Sequence, residues 1–374
     1  MHVYTDTEGT IKGLGALVRQ ALEEGRAKSL LILSCDGNAL TPDDLDPLLR
    51  DIPVPVLGGL FPVILSGTRQ LTRGSVVVAL DQSAEVNFVP GLSLPQTDFE
   101  AVLDELVSDD EGIKTVMVFI DGLSGRIGDF IEALYAIFGL EVNYIGGGAG
   151  SLTFEQGPCI LTNDGLKQDG AVVASFPMES SVGVSHGWRK VSGPYKVTES
   201  STNCIKSLNW QPAFDVYRDA VEEHSGRRFM ALPFFDIAKA YPFGIARMGT
   251  ERVVRDPISL DEDNGLICVG EVPEGSYVDI LHGDSADMVQ AASRALDLAQ
   301  NGFPESAGKG LGLIMDCVSR VLFLQDDFSD ELAALVQPDV PFVGACSIGE
   351  IANSGKDYLE FYNKTAVVAF LEGK

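Results

Sequence analysis

Short runs of unbroken apolar residues alternate along this chain with segments whose apolar residues recur every three or four positions. Three stretches repeat the alternation in one order. The first reads "SLLILSCDGNA", "PDDLDPLLRDI", "PVPVLGGLFPVILSG" and "TRGSVVVAL", spanning Ser29 to Leu80. The second reads "TVMVFIDGLSG", "GDFIEALYAIFG", "EVNYIGGGAGS" and "KQDGAVVASF", from Thr115 to Phe176. The third reads "LGLIMDCVSR", "SDELAALVQ", "DVPFVGACSIGE" and "YNKTAVVAF", from Leu311 to Phe370. Each predicts a buried strand, a helix, a second strand stopping at Gly58, Gly146 or Gly344, and a turn-led last strand. An aspartate closes the opening strand each time (Asp36, Asp121, Asp316), which favours duplication over chance.

The matching glycines lie 88 and 198 residues apart, so the second gap has room for one more copy. "AYPFGIARMG" and "PEGSYVDIL" supply a glycine and a turn-led strand for a degenerate fourth unit, without an evident opening strand. Strand–helix–strand implies parallel, right-handed crossovers, and the closing strands add antiparallel neighbours. The predicted class is α/β with mixed β-sheets and flanking helices. Two such sheets face to face with helices outside, an αββα sandwich, is one arrangement this permits. "SHGWRKVSGPYKV" marks a seam, which predicts domains at 1–185 and 186–374.

Gly146-Gly147-Gly148 invites a nucleotide reading that the neighbouring residues do not support. A Walker loop needs a Lys-Ser or Lys-Thr pair after its glycines, and no lysine follows until Lys167. A dinucleotide loop needs a helix opening on the third glycine, but Ser151 to Gly165 has no amphipathic period. The glycines are therefore read as structural, and no cofactor is expected.

With 374 residues, 45% of them hydrophobic, the chain has ample core and exceeds one ordinary domain. Its formal charge of −27 repels nucleic acid and anionic lipid, and no basic stripe offsets it, so no nucleic-acid partner is expected. "DFEAVLDELVSDDEG" is the densest acidic stretch and reads as a solvated helix. No apolar run approaches the roughly 18 residues of a membrane span, so no membrane insertion is expected. The start lacks the basic and apolar regions of a signal peptide. Six scattered cysteines without a Cys-x-x-Cys pair fit a reducing cytoplasm. Four distant histidines offer no metal-ligand spacing.

Ligands of open α/β sheets gather outside the carboxyl ends of parallel strands. Here those ends carry Asp121 and Asp316 beside the glycine turns, with Arg126 and Arg320 following closely. An acid and a guanidinium at one crevice suit a zwitterion, and equally an ordinary strand-end ion pair. If Arg320 grips a ligand carboxylate from a solvated position, Arg320→Ala weakens binding by roughly 10- to 150-fold with little loss of fold. An enzyme reading survives beside the binding one: Glu350 as a base with Cys317 or Cys346.

"MDCVSR", "PFVGACSIGEI" and "LEFYNKTAVV" resemble the Cys-x-x-Arg, Gly-Glu and Asn-x-Thr signatures of the FIST family, sensory domains of bacteria and eukaryotes. "VTESSTNCIKSLNWQPAFDVYRD", "YPFGIA" and "VVRDPISLD" are similar to its middle, and "YIGGGAGS" and "DGAVVASF" to its first half. Serine precedes the glycine of "ACSIGE" where an aromatic or threonine is usual, and "YNKT" replaces the commoner His-Asn-Gln-Thr. The resemblance covers nearly the whole chain, FIST N then FIST C. It implies a small-molecule sensor for amino acids or related zwitterions or acids, passing its signal to a protein partner. Together with the crevice it marks Asp316, Cys317, Arg320, Gly344, Cys346, Gly349, Glu350 and Asn363 as candidate ligand contacts, with Arg255, Asp121, Gly147 and Gly148 from the remaining segments.

Overall fold

The predicted opening strands form at Ser29–Cys35, Thr115–Asp121 and Lys309–Cys317. Each pairs in parallel with a second strand, Val56–Phe61, Asn143–Ala149 or Phe342–Ser347. Helices Pro42–Arg50, Ile127–Phe138 and Phe328–Leu335 make the crossovers, the last preceded by Val318–Leu324. Closing strands Ser75–Leu80, Gly170–Phe176 and Ala366–Glu372 lie antiparallel on the far side of each opening strand. Burial on both faces explains why these segments read as continuous apolar runs rather than alternation. This computed structural model describes residues 1–107, 112–246, 252–353 and 358–373. The acidic stretch gives helix Phe99–Leu106, while its residues 108–111 lie outside the described ones.

All three units share one strand order, as duplication predicts. A further strand precedes each unit and pairs with its closing strand: His2–Asp6, Glu85–Pro90 and Ser180–Ser185. The other edge is closed by a hairpin from a different unit. Val63–Ser66 of the first unit pairs with Phe342–Ser347 of the third. Ile160–Thr162 of the second pairs with Val56–Phe61 of the first. Glu350–Asn353 of the third pairs with Asn143–Ala149 of the second. The exchange is a closed cycle. Each donated hairpin covers the open edge of a buried second strand, whose unpaired amides would otherwise be costly.

The glycines do not end their strands, as expected from sequence, but stand inside them. Gly58, Gly146 and Gly344 face Ile32, Val118 and Ile314 in the same register position. A Cβ there would come within 1.8, 1.7 and 2.0 Å of the facing residue's carbonyl oxygen. Only glycine permits that approach. The recurring aspartates are not equivalent in the same sense. Asp36, Asp121 and Asp316 stand four, three and two residues beyond those facing positions, so shared strand order carries the duplication.

The stretch read as a degenerate fourth copy is something else. Between Ser180–Ser185 and helix Ser285–Gly302 the chain builds a seven-stranded sheet whose pairings are all antiparallel. Gly244 sits in Phe243–Ile245, flanked by Val253–Leu260 and Tyr277–His282, with no parallel partner. Residues 247–249 of "AYPFGIARMG" lie outside the described residues. The class is mixed α/β as read, with four sheets rather than two.

Candidate functional site

Beyond the carboxyl end of strand Thr115–Asp121, the chain must turn through Gly122 to Arg126 before helix Ile127–Phe138 begins. Asp121 fixes that turn. Its Oδ1 accepts from the Leu123 amide at 3.1 Å. Its Oδ2 accepts from the Asp169 amide at 2.9 Å and Gln156 Nε2 at 2.8 Å. The aspartate is 1% exposed, so it shapes the loop rather than meeting a ligand. A cavity of ≈ 810 Å3 opens over the loop. That volume lies in the usual range for small-molecule sites, roughly 300–1,000 Å3.

Three elements from distant parts of the chain wall this cavity. Helix Ile127–Phe138 presents Gly128, Ile131, Glu132 and Tyr135, spaced so as to share one face. The antiparallel sheet and its turns contribute Val253, Arg255, Cys268 and Glu271. The third unit's hairpin contributes Tyr358, Leu359, Glu360, Phe361 and Tyr362. Phe154 joins them from the link between Asn143–Ala149 and Ile160–Thr162. That link is far longer than those of the other two units, where the hairpin follows almost at once.

The electrostatics are lopsided. Glu132, Glu271 and Glu360 line the cavity against one guanidinium, Arg255. Arg255 Nε donates to the Glu271 carbonyl at 2.8 Å, and Nη1 to the Phe361 and Val254 carbonyls at 2.9 and 3.0 Å. The arginine thus ties the antiparallel sheet to the donated hairpin. Burial, then Asp129 and Glu132 nearby, push the Glu271 carboxyl above its ordinary value, with Arg255 opposing. The Tyr135 and Tyr358 rings meet with centroids 5.4 Å apart.

Most of the residues marked from sequence gather elsewhere, around the third unit's strand ends. Arg320 is not solvated: it is 0% exposed, with Asp316 at 2.9 Å and Glu331 at 2.7 Å, both also fully buried. It also donates to the His186 and Met288 carbonyls, each at 3.1 Å. It is not among the residues lining the cavity. Burial and then Glu331 push Asp316 well up, with Arg320 opposing. Glu350 accepts from the Ser347 hydroxyl at 3.2 Å and the Thr365 amide at 3.4 Å, and burial first, then Asp316, hold its carboxyl well above the ordinary range. Burial and then Glu350 push the Cys317 thiol up to about 12, and burial raises Cys346 too. Burial of this kind favours the protonated thiol, which counts against a thiolate nucleophile in the Glu350–cysteine reading. Asn363 is 1% exposed beside them, its Nδ2 on the Tyr362 carbonyl at 2.9 Å.

Gly147, Gly148 and Gly349 come together, but as packing. Gly148 and Gly349 are joined by an amide–carbonyl bond of 2.8 Å, and a Cβ on Gly148 would lie 2.1 Å from the Ile348 carbonyl oxygen. Gly344 faces Ile314 as described. Of the twelve residues, only Arg255 lines the cavity itself, and Asp121 and Gly148 abut its floor through Gly122. Sequence reasoning missed Glu132, Tyr135, Glu271 and Phe154. The helical spacing of Gly128, Ile131, Glu132 and Tyr135 was legible, whereas Glu271 lies in the link between strands Leu266–Val269 and Tyr277–His282, which carries no signal of its own.

The FIST N domain family matches residues 8–211, and the FIST C domain family residues 213–353. The chain belongs to the FIST family. No curated protein matches it. The two FIST matches take in two of the cavity's walls, with the Gly122 loop and helix Ile127–Phe138 in FIST N and Arg255, Glu271 and Ile348 in FIST C, while the hairpin residues Tyr358 to Tyr362 lie beyond the FIST C match. FIST domains are sensory domains, which makes small-ligand binding and signal transduction the function class of this chain. Among the described residues, no helix is long and apolar enough to cross a membrane.

Proposed function

We propose that this FIST protein senses an amino acid or a related small zwitterion or acid held in the ≈ 810 Å3 cavity between the Gly122 loop, the antiparallel sheet and the donated hairpin. The observation that carries this reading is the cavity's position. It lies outside the carboxyl end of a parallel strand, where α/β sheets bind ligands, and is lined by aromatic rings with a few charged groups. Both charge signs are present for a zwitterion, carboxylates on three walls and Arg255 on one.

A signalling output follows from what the walls are attached to. Phe361 and Tyr362 line the cavity, and Asn363, Lys364 and Thr365 come next in the chain. Lys364 is fully buried, 3.1 Å from Asp256, whose neighbour Arg255 is in the cavity wall. A ligand that pulls on the hairpin therefore pulls on the third unit's interior. A signalling protein partner is the proposed recipient of that change.

A thermal-shift screen over the amino acids, organic acids and nucleotides tests the reading, because a true ligand stabilises only the folded state. A hit should be lost in Ile131→Trp, which fills the cavity from the helix face. A hit that survives Ile131→Trp unchanged places the ligand elsewhere.

A further inference from the structure

We infer that the charged group this cavity recognises is an ammonium: the ligand is an amine with an apolar body, its cation set among Glu271, Glu132 and Glu360 and its body against Tyr135 and Tyr358. The inference rests on the cavity being the ligand site, and goes further by assigning which end of a zwitterion is read.

Charge decides first. Three carboxylates and one guanidinium line the cavity, and two backbone-committed nitrogens of that guanidinium already serve three carbonyls. An anionic ligand would enter against the carboxylates and compete with the fold for Arg255. A cation enters with them. The N-terminus of helix Ile127–Phe138 also points at the cavity, and such an end normally favours an anion. Here the protein has met that field itself. Glu271 Oε2 lies 3.2 Å from where a Cβ on Gly128 would stand, and Asp129 sits in the first turn.

Chemistry decides next. Among the described residues, no three acidic, histidine or cysteine side chains converge as ligands for a metal ion. The carboxylates instead come from three separate walls, and aromatic rings line the same cavity. Acceptors on separate walls of a cavity that also holds aromatic rings suit an ammonium, which donates in several directions and is drawn to aromatic π-faces. Glu271 is half-buried near Asp129 and Glu132, with Arg255 and Arg126 offsetting only part of that cost, and an incoming cation relieves the remainder. Binding sites that hold such partly compensated charge trade stability for function.

Three probes with one apolar body and different head groups test the inference: phenethylamine, phenylalanine and 3-phenylpropionate. Isothermal calorimetry at pH 7.5 and low salt is expected to show phenethylamine and phenylalanine binding, and 3-phenylpropionate at least about tenfold weaker. Glu271→Gln is expected to lower phenethylamine affinity about tenfold or more while leaving the melting temperature unchanged or higher, because the charge it removes is disfavoured in the empty cavity. A merely structural glutamate would lose both. Should Glu271→Gln fail to fold, Glu132→Gln, at an exposed position, is expected to weaken the amine in the same direction. Preference for 3-phenylpropionate overturns the inference but keeps the cavity as the site. Binding of none of the three, or undiminished amine affinity in both variants, also overturns it, and the cavity itself then stands or falls on the Ile131→Trp result.

Discussion

Replacing Arg320 by methionine should unfold this protein more readily without changing what its cavity binds. The guanidinium sits between Asp316 at 2.9 Å and Glu331 at 2.7 Å, and all three side chains are fully buried. Removing one partner of a buried ion pair leaves an uncompensated charge and costs about 3–5 kcal/mol. Two carbonyl acceptors, His186 O and Met288 O, lose their donor as well. Protonation of Asp316 relieves part of this, since burial and Glu331 already favour its neutral form. The expected loss is therefore about 3–4 kcal/mol, a shift of order 1 M in the urea midpoint. Circular dichroism against urea measures it. The combined variant Arg320→Met, Asp316→Leu, Glu331→Leu should recover most of the loss, because a buried triad replaced by apolar residues is often neutral or better. A loss below about 1 kcal/mol, or a triple variant no better than the single one, would refute the reasoning. Loss of ligand affinity with stability intact would restore the solvated, ligand-gripping arginine expected from sequence.

Gly146→Ala places a methyl 1.7 Å from the Val118 carbonyl oxygen and should abolish soluble folded protein or cost more than about 3 kcal/mol; unchanged thermal melting would contradict it. Glu350 binds its proton more tightly folded than unfolded, so its share of stability falls as pH rises from the ordinary carboxyl range toward the raised value. Glu350→Gln should flatten that decline, by at most about 1.4 kcal/mol per pH unit, and urea titrations from pH 4.5 upward, in steps of roughly one unit, check it; an unchanged slope counts against the assignment. Cys317 and Cys346 should resist a disulfide reagent at neutral pH in the folded protein, and a fast-reacting thiol mapped to Cys317 would revive the enzyme reading. ATP, GTP and NAD at millimolar concentration should leave the melting temperature unmoved, since Gly148 is covered by Ile348 and Gly349.

What the sequence alone determined is the content of each unit. Burial on both faces forces a continuous apolar run, and a carbonyl pressing on Gly58, Gly146 or Gly344 forces a glycine, so both leave local marks that repeat. The family signatures were legible for the same reason. Every position of "MDCVSR" and "SIGE" except Ser319 is buried, and signatures that fill a core resemble signatures that touch a ligand. Arg320 illustrates the cost of that likeness: the pattern fixes an arginine near an aspartate, but not whether water reaches them. Only the tertiary structure decided the hairpin exchange, because Val63–Ser66, Ile160–Thr162 and Glu350–Asn353 specify strand and not partner. The cavity is a further step removed. Its lining residues fall within 122–135, at Phe154, at Thr202 and Asn203, among the described residues between 245 and 273, and among those between 348 and 362, and no window of sequence contains them. Glu271 reaches the helix at Gly128, its Oε2 3.2 Å from where a Cβ would stand, a contact between residues far apart in the chain. Periodicity records which face of an element is buried; it holds no record of what buries it.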